Sequence, residues 1–175
     1  MADSENITKH DNLILTSEQI KQKIRRIAWE IHERNFRSGD LAVVGIASEG
    51  RVFAGKLADE LSVITGRNIA CLTLKLDKHA TRLPQIELDM PVDSLENKTI
   101  ILTDDVLNSG RTLLYALSGF LRLHLSKVQT AVIVERSHRQ FPIAADYVGH
   151  SLSTTVGEHV DVRIDSEGNM SAYLN

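Results

Sequence analysis

Residues 101–120 read ILTDDVLNSGRTLLYALSGF, and the character of the chain changes three times along them. An apolar run that begins at Thr99 ends on two adjacent carboxylates, Asp104 and Asp105. A short Asn-Ser-Gly loop follows, and leucines at helical spacing then predict a helix from about Arg111 to Leu125. The same strand–loop–helix order occurs earlier. LAVVGI (41–46) is a continuous apolar run of strand length, as expected of a strand covered on both faces. Ala47-Ser48-Glu49-Gly50 forms a tight loop, and Val52, Phe53, Leu57, Leu61 and Ile64 mark a helix stopped by Gly66. IACLTLK (69–75) and VQTAVIV (128–134) read as further strands. Ahead of them all, Thr16 and Gln19 offer a capping box for a helix carrying Ile20, Ile24, Ile27 and Ile31 and running to about Arg37.

Strands alternating with helices imply parallel pairing through right-handed crossovers, hence an α/β fold with a Rossmann-like, mostly parallel sheet and flanking helices. At 175 residues one domain is expected, spanning 13–175 behind a frayed, polar 1–12. Residues 76–98 are long, charged and broken by Pro84 and Pro91, the marks of a flexible lid loop. The C-terminal pieces ADYVGHSL, HVDVRID and MSAYLN either extend the sheet or form a small cap. With 42% hydrophobic and 25% charged residues the composition is that of an ordinary globular protein. A net charge of −3 gives no global positive field for nucleic acid. The single Cys71 excludes an internal disulfide, is expected to be buried, and fits a reducing compartment. With no apolar stretch of membrane-span length and no signal-peptide core, a cytoplasmic location without membrane contact is expected.

Ligands of open α/β sheets sit beyond the carboxyl ends of the strands, where the loop Leu107–Thr112 is expected to lie. Its backbone N–H groups, with a helix dipole behind them, suit a phosphate, and Ser109 and Thr112 add hydroxyls. Neither a Walker loop nor G-x-G-x-x-G is present. The acids upstream would repel a phosphate, so they face hydroxyls or a metal ion, and a vicinal diol can donate to both. A ribose 5-phosphate satisfies both halves; solvated acids at a strand end are the plainer alternative. The seven histidines form no metal-ligand pattern, and GIASEG falls one residue short of a nucleophile elbow at Ser48.

TDDVLNSGRT closely resembles the phosphoribosyl-pyrophosphate (PRPP) motif of the type I phosphoribosyltransferases. The segments RRIAWEIHERN, VVGIASEGRVFAGKLADEL and VERSHRQFPIAADYVG further resemble the PyrR family of pyrimidine operon regulators, uracil phosphoribosyltransferases that also bind RNA. The resemblance implies a type I phosphoribosyltransferase fold with a lid and a small hood, and a reaction joining uracil to PRPP to give UMP and pyrophosphate. It makes Asp104 and Asp105 the catalytic acids at the ribose and Asn108, Ser109, Gly110, Arg111 and Thr112 the 5-phosphate cradle. Ala47, Ser48, Glu49 and Gly50 become the pyrophosphate loop, and Val134, Glu135, Arg136, His138 and Arg139 the base site and hood. Mg²⁺ is implied as a cofactor bound through PRPP, without dedicated protein ligands.

Two positions depart from the family pattern. Glu49 stands where a basic residue is usual, with Arg51 close by, and Lys75-Leu76 replace a Tyr-Arg pair at the start of the lid. Lys75, Lys78 and Arg82 are the candidate lid cations. The resemblance also implies a homodimer or higher homo-oligomer and raises a reading of another class, a catalytically weak, nucleotide-sensing RNA-binding regulator. Arg25, Trp29 and Arg34, with His32, are the candidate RNA contacts on the first helix; a solvated helix face is the alternative there. A transferase acting on a purine or another base is the remaining enzyme reading.

Overall fold

A computed structural model describes residues 12–46, 48–76, 87–155 and 157–175. Strand β1 (Asn12–Leu15) leads into helix α1 (Ser17–Asn35). The capping box forms as read: Thr16 Oγ1 accepts from the Gln19 N–H at 3.2 Å, and Gln19 Oε1 accepts from the Thr16 N–H at 2.9 Å. Ile20, Ile24, Ile27 and Ile31 line the buried face of α1. At its C-terminal end Asn35 donates to Gln129 Oε1 at 2.8 Å and accepts from Lys127 Nζ at 2.9 Å, which pins the helix to the sheet beneath.

The main sheet contains β2 (Leu41–Ile46), β3 (Ala70–Lys75), β4 (Glu87–Leu88), β5 (Thr99–Leu107), β6 (Lys127–Arg136) and β7 (Tyr147–Leu152), ordered β4-β3-β2-β5-β6-β7. Only β4 runs antiparallel. Among the parallel strands the chain starts near the middle with β2, steps outward to β3 and then back across to β5. That reversal makes the β2/β5 gap the topological switch point, where a doubly wound sheet opens a crevice. Helix α2 (Glu49–Thr65) follows β2 and ends at a left-handed Gly66; α3 (Arg111–Phe120) follows β5. One core cluster packs α1 and α2 on one sheet face, and a second packs α3 and Leu95 on the other.

Of the C-terminal pieces, β7 extends the main sheet. β8 (Val160–Ile164) and β9 (Met170–Leu174) form a separate antiparallel sheet with β1. Residues 77–86 of the expected lid lie outside the described residues; after them β4 pairs with β3, Asp89 caps the Thr73 N–H at 2.9 Å, and Leu95, in a 3-10 turn over Val92–Leu95, is buried. Two expectations are corrected. Helix α3 stops at Phe120, short of Leu125. Cys71 is exposed, because only Leu72 and Leu74 of β3 turn into the core.

Candidate functional site

Strand β5 and the start of α2 are held together across the switch point. Thr103 Oγ1 donates to the Gly50 carbonyl at 3.1 Å, holding the start of α2 against β5. The approach needs glycine twice. A Cβ on Gly45 would fall 2.6 Å from the Gly50 oxygen, and one on Gly50 would fall 3.0 Å from the Thr103 oxygen. Ser48 turns the chain into α2 with φ 72° and ψ −113°, a conformation L-residues avoid. Glu49 is the first residue of α2, where the helix dipole favours an acid; this gives a structural reason for the departure noted above. Arg51, in the same turn, is exposed. Ala47 lies outside the described residues.

The acid pair does not terminate its strand. β5 continues to Leu107, with Asp104 opposite Val132 and Val106 opposite Val134. Ile100 and Leu102 pack on the α3 side but so does Leu107, while Val106 joins the α2 side, so the alternation reverses across the acids. The two carboxylates consequently differ. Asp104 is 2% exposed, and its Oδ1 accepts from the Asp105 N–H at 3.1 Å beside Gly50. Asp105 is only half-buried. The symmetric expectation for the pair is therefore revised: Asp105 offers the accessible carboxylate, and Asp104 stands behind it at the N-terminus of α2.

The phosphate-loop candidates sit together after β5. Gly110 is the N-cap of α3 in the left-handed region (φ 86°), and the first turn of α3 carries no acid, so its dipole faces the loop unopposed. Sequence reading gave Gly110 the task of admitting a ligand. The structure supplies another reason, since a Cβ there would fall 2.4 Å from Ile143 Cγ2. The Ser109 carbonyl accepts from the Gln140 and Phe141 N–H groups, both at 3.0 Å, which seats the 138–143 segment against the loop. Ser109 Oγ accepts from the Arg111 N–H at 3.3 Å, the Arg111 guanidinium lies over the Tyr115 ring, and Thr112 is half-buried.

The five hood candidates separate. Val134 is fully buried in the core, so its side chain cannot meet a base. Arg136 is 2% exposed and wholly engaged within the protein: Nη1 donates to Asn108 Oδ1 and Nε to Thr154 Oγ1, each at 2.9 Å. Nη2 donates to the Thr155 and Glu158 carbonyls. Glu135 pairs with Arg139 at 2.5 Å. His138 alone brings a buried ring nitrogen, Nε2, without a hydrogen-bond partner among the described residues. The role of the 153–158 segment in holding Arg136 was invisible in the sequence. Its one signal was a cation closing the apolar run VIVER, which burial obliges to find partners.

Lys75 is exposed at the end of β3; Lys78 and Arg82 lie outside the described residues. On α1, Arg25 and Trp29 are exposed, and Trp29 meets His32 edge-on with ring centroids 6.0 Å apart. Arg34 is not part of that stripe: it donates to the Asp146 carbonyl and lies over Tyr147, on the β7 side of the helix. A separate cavity of about 330 Å³ opens at the opposite end of the sheet, between the C-termini of α1 and α2. Both helix dipoles present their negative ends to it, and its lining includes Lys98 and Arg67, the latter paired with Asp40 at 2.8 Å.

The chain matches the phosphoribosyl transferase domain over residues 12–167. It is 40% identical to the Bifunctional protein PyrR of Deinococcus radiodurans over 86% of each chain. Its identity to the protein of the same name from Elusimicrobium minutum is 38%, over 88% of this chain and 90% of that one. Among solved structures, a hypoxanthine phosphoribosyltransferase of Trypanosoma cruzi superposes with a TM-score of 0.75 over 94% of this chain and 95% of that one, at 16% identity. At that identity the likeness is one of fold: a mostly parallel α/β sheet of the type I phosphoribosyltransferase kind.

Proposed function

The chain belongs to the phosphoribosyl transferase domain family, and we propose that it joins uracil to PRPP, forming UMP and releasing pyrophosphate. One observation carries this reading. The N-terminus of α3, opened by Gly110, adjoins a half-exposed carboxylate, Asp105, and the strained Ser48 turn on the other side of the switch point. A bound sugar diphosphate needs those three elements: donors for the 5-phosphate, an acceptor for ribose hydroxyls, and donors for the leaving diphosphate.

In the reaction a uracil ring nitrogen bonds to C1 with inversion and gives up its proton to solvent, as the C1–O bond to pyrophosphate breaks and the bonding pair leaves with pyrophosphate. Positive charge develops on the sugar ring, as in glycoside cleavage, and Asp105 lies where a carboxylate can offset it. Asp104 fixes the backbone N–H of Asp105 and so its direction. Residues 108–112 hold the 5-phosphate and residues 47–50 the diphosphate. His138 is the hood side chain assigned to the base, because its buried Nε2 requires a partner. Lys75, Lys78 and Arg82 are assigned to the closing lid. Mg²⁺, carried by PRPP, would supply charge stabilisation for the leaving diphosphate. The half-exposed carboxylate of Asp105 is an oxygen donor of the kind this ion prefers. Among the described residues no three His, Cys, Asp or Glu side chains converge on a metal.

The test is turnover of labelled uracil, hypoxanthine, guanine, adenine and orotate with PRPP and Mg²⁺. Uracil alone is expected to react; reaction of a purine instead overturns the base assignment. Among the described residues no helix is long and apolar enough to cross a membrane, and we assign the protein to the cytoplasm. Assembly as a homodimer or larger homo-oligomer is also assigned. It draws support from α2, whose Val63 is 81% exposed, and sedimentation velocity checks it.

A second reading, a nucleotide-sensing RNA-binding regulator, is favoured by exposed Arg25 and Trp29 one turn apart on α1, with half-buried His32 edge-on to Trp29, and by the word bifunctional in the relatives' names. A cation beside an exposed aromatic ring is the combination that grips unpaired bases. Gel shifts of uridine-rich hairpins at two salt concentrations test it. Saturable, salt-sensitive binding that UMP strengthens supports the regulator, and absence of binding removes it.

A further inference from the structure

We propose that Arg136 is a positioning residue for the phosphate loop: its buried guanidinium orients Asn108 and latches that loop to the segment between β7 and β8. The inference rests on the reading of residues 108–112 as the 5-phosphate cradle and adds a residue that does not touch the phosphate. A desolvated cation is costly unless its donors are met, and here four of its five N–H groups donate to oxygens on two separate segments. Asn108 supplies one, from the loop. Thr154, Thr155 and Glu158 supply the rest, from the chain that leaves the main sheet for the small one. That chain is itself held in shape, because the Glu158 carboxylate accepts from Thr155 N–H at 2.6 Å and Thr155 Oγ1 at 3.0 Å. The turn so closed directs the Thr155 and Glu158 carbonyls toward the guanidinium.

The consequence for the loop is a matter of polarity. An unrestrained Asn108 could present either end of its amide to an anion, and its oxygen would repel it. With Oδ1 committed to Arg136, the NH2 end is the one left to donate. Arginine suits the task because its planar fork reaches Asn108, Thr154 and the two carbonyls at once; a lysine is a point charge and cannot.

The experiment uses Arg136→Lys and Thr154→Val in the full chain, with Mg²⁺-PRPP titrated by calorimetry and KM values for PRPP and uracil measured alongside thermal melting. Arg136→Lys is expected to weaken PRPP binding about tenfold and Thr154→Val about threefold, in line with losing charge-assisted hydrogen bonds behind the loop. The KM for PRPP is expected to rise while that for uracil holds; a merely structural loss would move both KM values and kcat together. Folded Arg136→Lys that binds PRPP like the wild type overturns the inference. Should that variant fail to fold, Thr154→Val decides, and unchanged affinity there overturns it equally. If the wild type itself does not bind PRPP, the reading of the cradle falls and this inference with it. Wild-type binding with unaffected variants removes only the role of Arg136.

Discussion

Asp104 and Asp105 are neighbours of identical chemistry in different surroundings, one buried and one half-buried, and with the roles proposed above the difference predicts opposite mutant behaviour. Asp105→Ala removes an accessible acceptor, so PRPP affinity should fall roughly tenfold or more by calorimetry with little change in melting temperature. Asp104→Ala strips a buried acceptor from the Asp105 N–H. It should cost about 1–3 kcal/mol in urea unfolding, before any effect on binding. Equal melting temperatures for the two variants would refute the asymmetry. Gly110 makes a sharper residue-scale case, because two separate constraints meet there. Gly110→Ala must adopt φ 86° and must also displace Ile143, and the conformational part alone costs about 1–3 kcal/mol. Adding Ile143→Ala should recover part of the loss, since it removes the clash and leaves the dihedral. Full recovery would mean that the left-handed conformation costs nothing.

Among elements, LAVVGI was legible to the residue because a strand covered on both faces is apolar throughout. β5 was read too short because two adjacent acids look like a terminus, yet its ladder with β6 carries on through them to Leu107. α3 was read too long because Leu121, Leu123 and Leu125 prolong an apolar pattern that the chain abandons, leaving Leu121 83% exposed. The short strands β1 and β4 have no periodicity to detect. In the candidate site, the loop after β5 was legible as a unit because its residues are contiguous. The engagement of Arg136 was not, because its partners lie 18 to 28 positions away. The turn into α2 shows the same limit: nothing in GIASEG announces that Ser48 takes a positive φ. Ser48→Gly should relieve that strain, worth about 1–3 kcal/mol, against an entropic penalty of about 0.5–1 kcal/mol. A higher urea midpoint is therefore expected, and a lower one would show that the turn is not strained.

For the molecule as a whole, the groups with depressed pKa values, His150, Glu158 and Asp165, favour the folded state at higher pH, whereas burial raises Cys71 and Tyr147, whose contributions are lost only in the alkaline range. Burial, and then the nearby Lys23, depress the His150 imidazole below its ordinary value of 6.5. The unfolded chain then binds the proton more readily, so stability is full above about pH 6.5 and falls as pH drops through that value toward the depressed folded one. Glu158, held down by its hydrogen bonds from Thr155, and Asp165, held down by those from Asn169, act lower on the scale. Their contribution is present above the ordinary carboxylate range and is lost as pH falls through their depressed folded values. Acid should therefore weaken the fold in two stages, the first belonging to an imidazole at the edge of the main sheet. Urea midpoints at pH 7.5 and 5.5 resolve that first stage. The wild type should lose stability between them, and His150→Gln, which cannot be protonated there, should lose measurably less. Identical losses in the two proteins would remove His150 from the acid response and leave the carboxylates near β8 to account for whatever remains at lower pH.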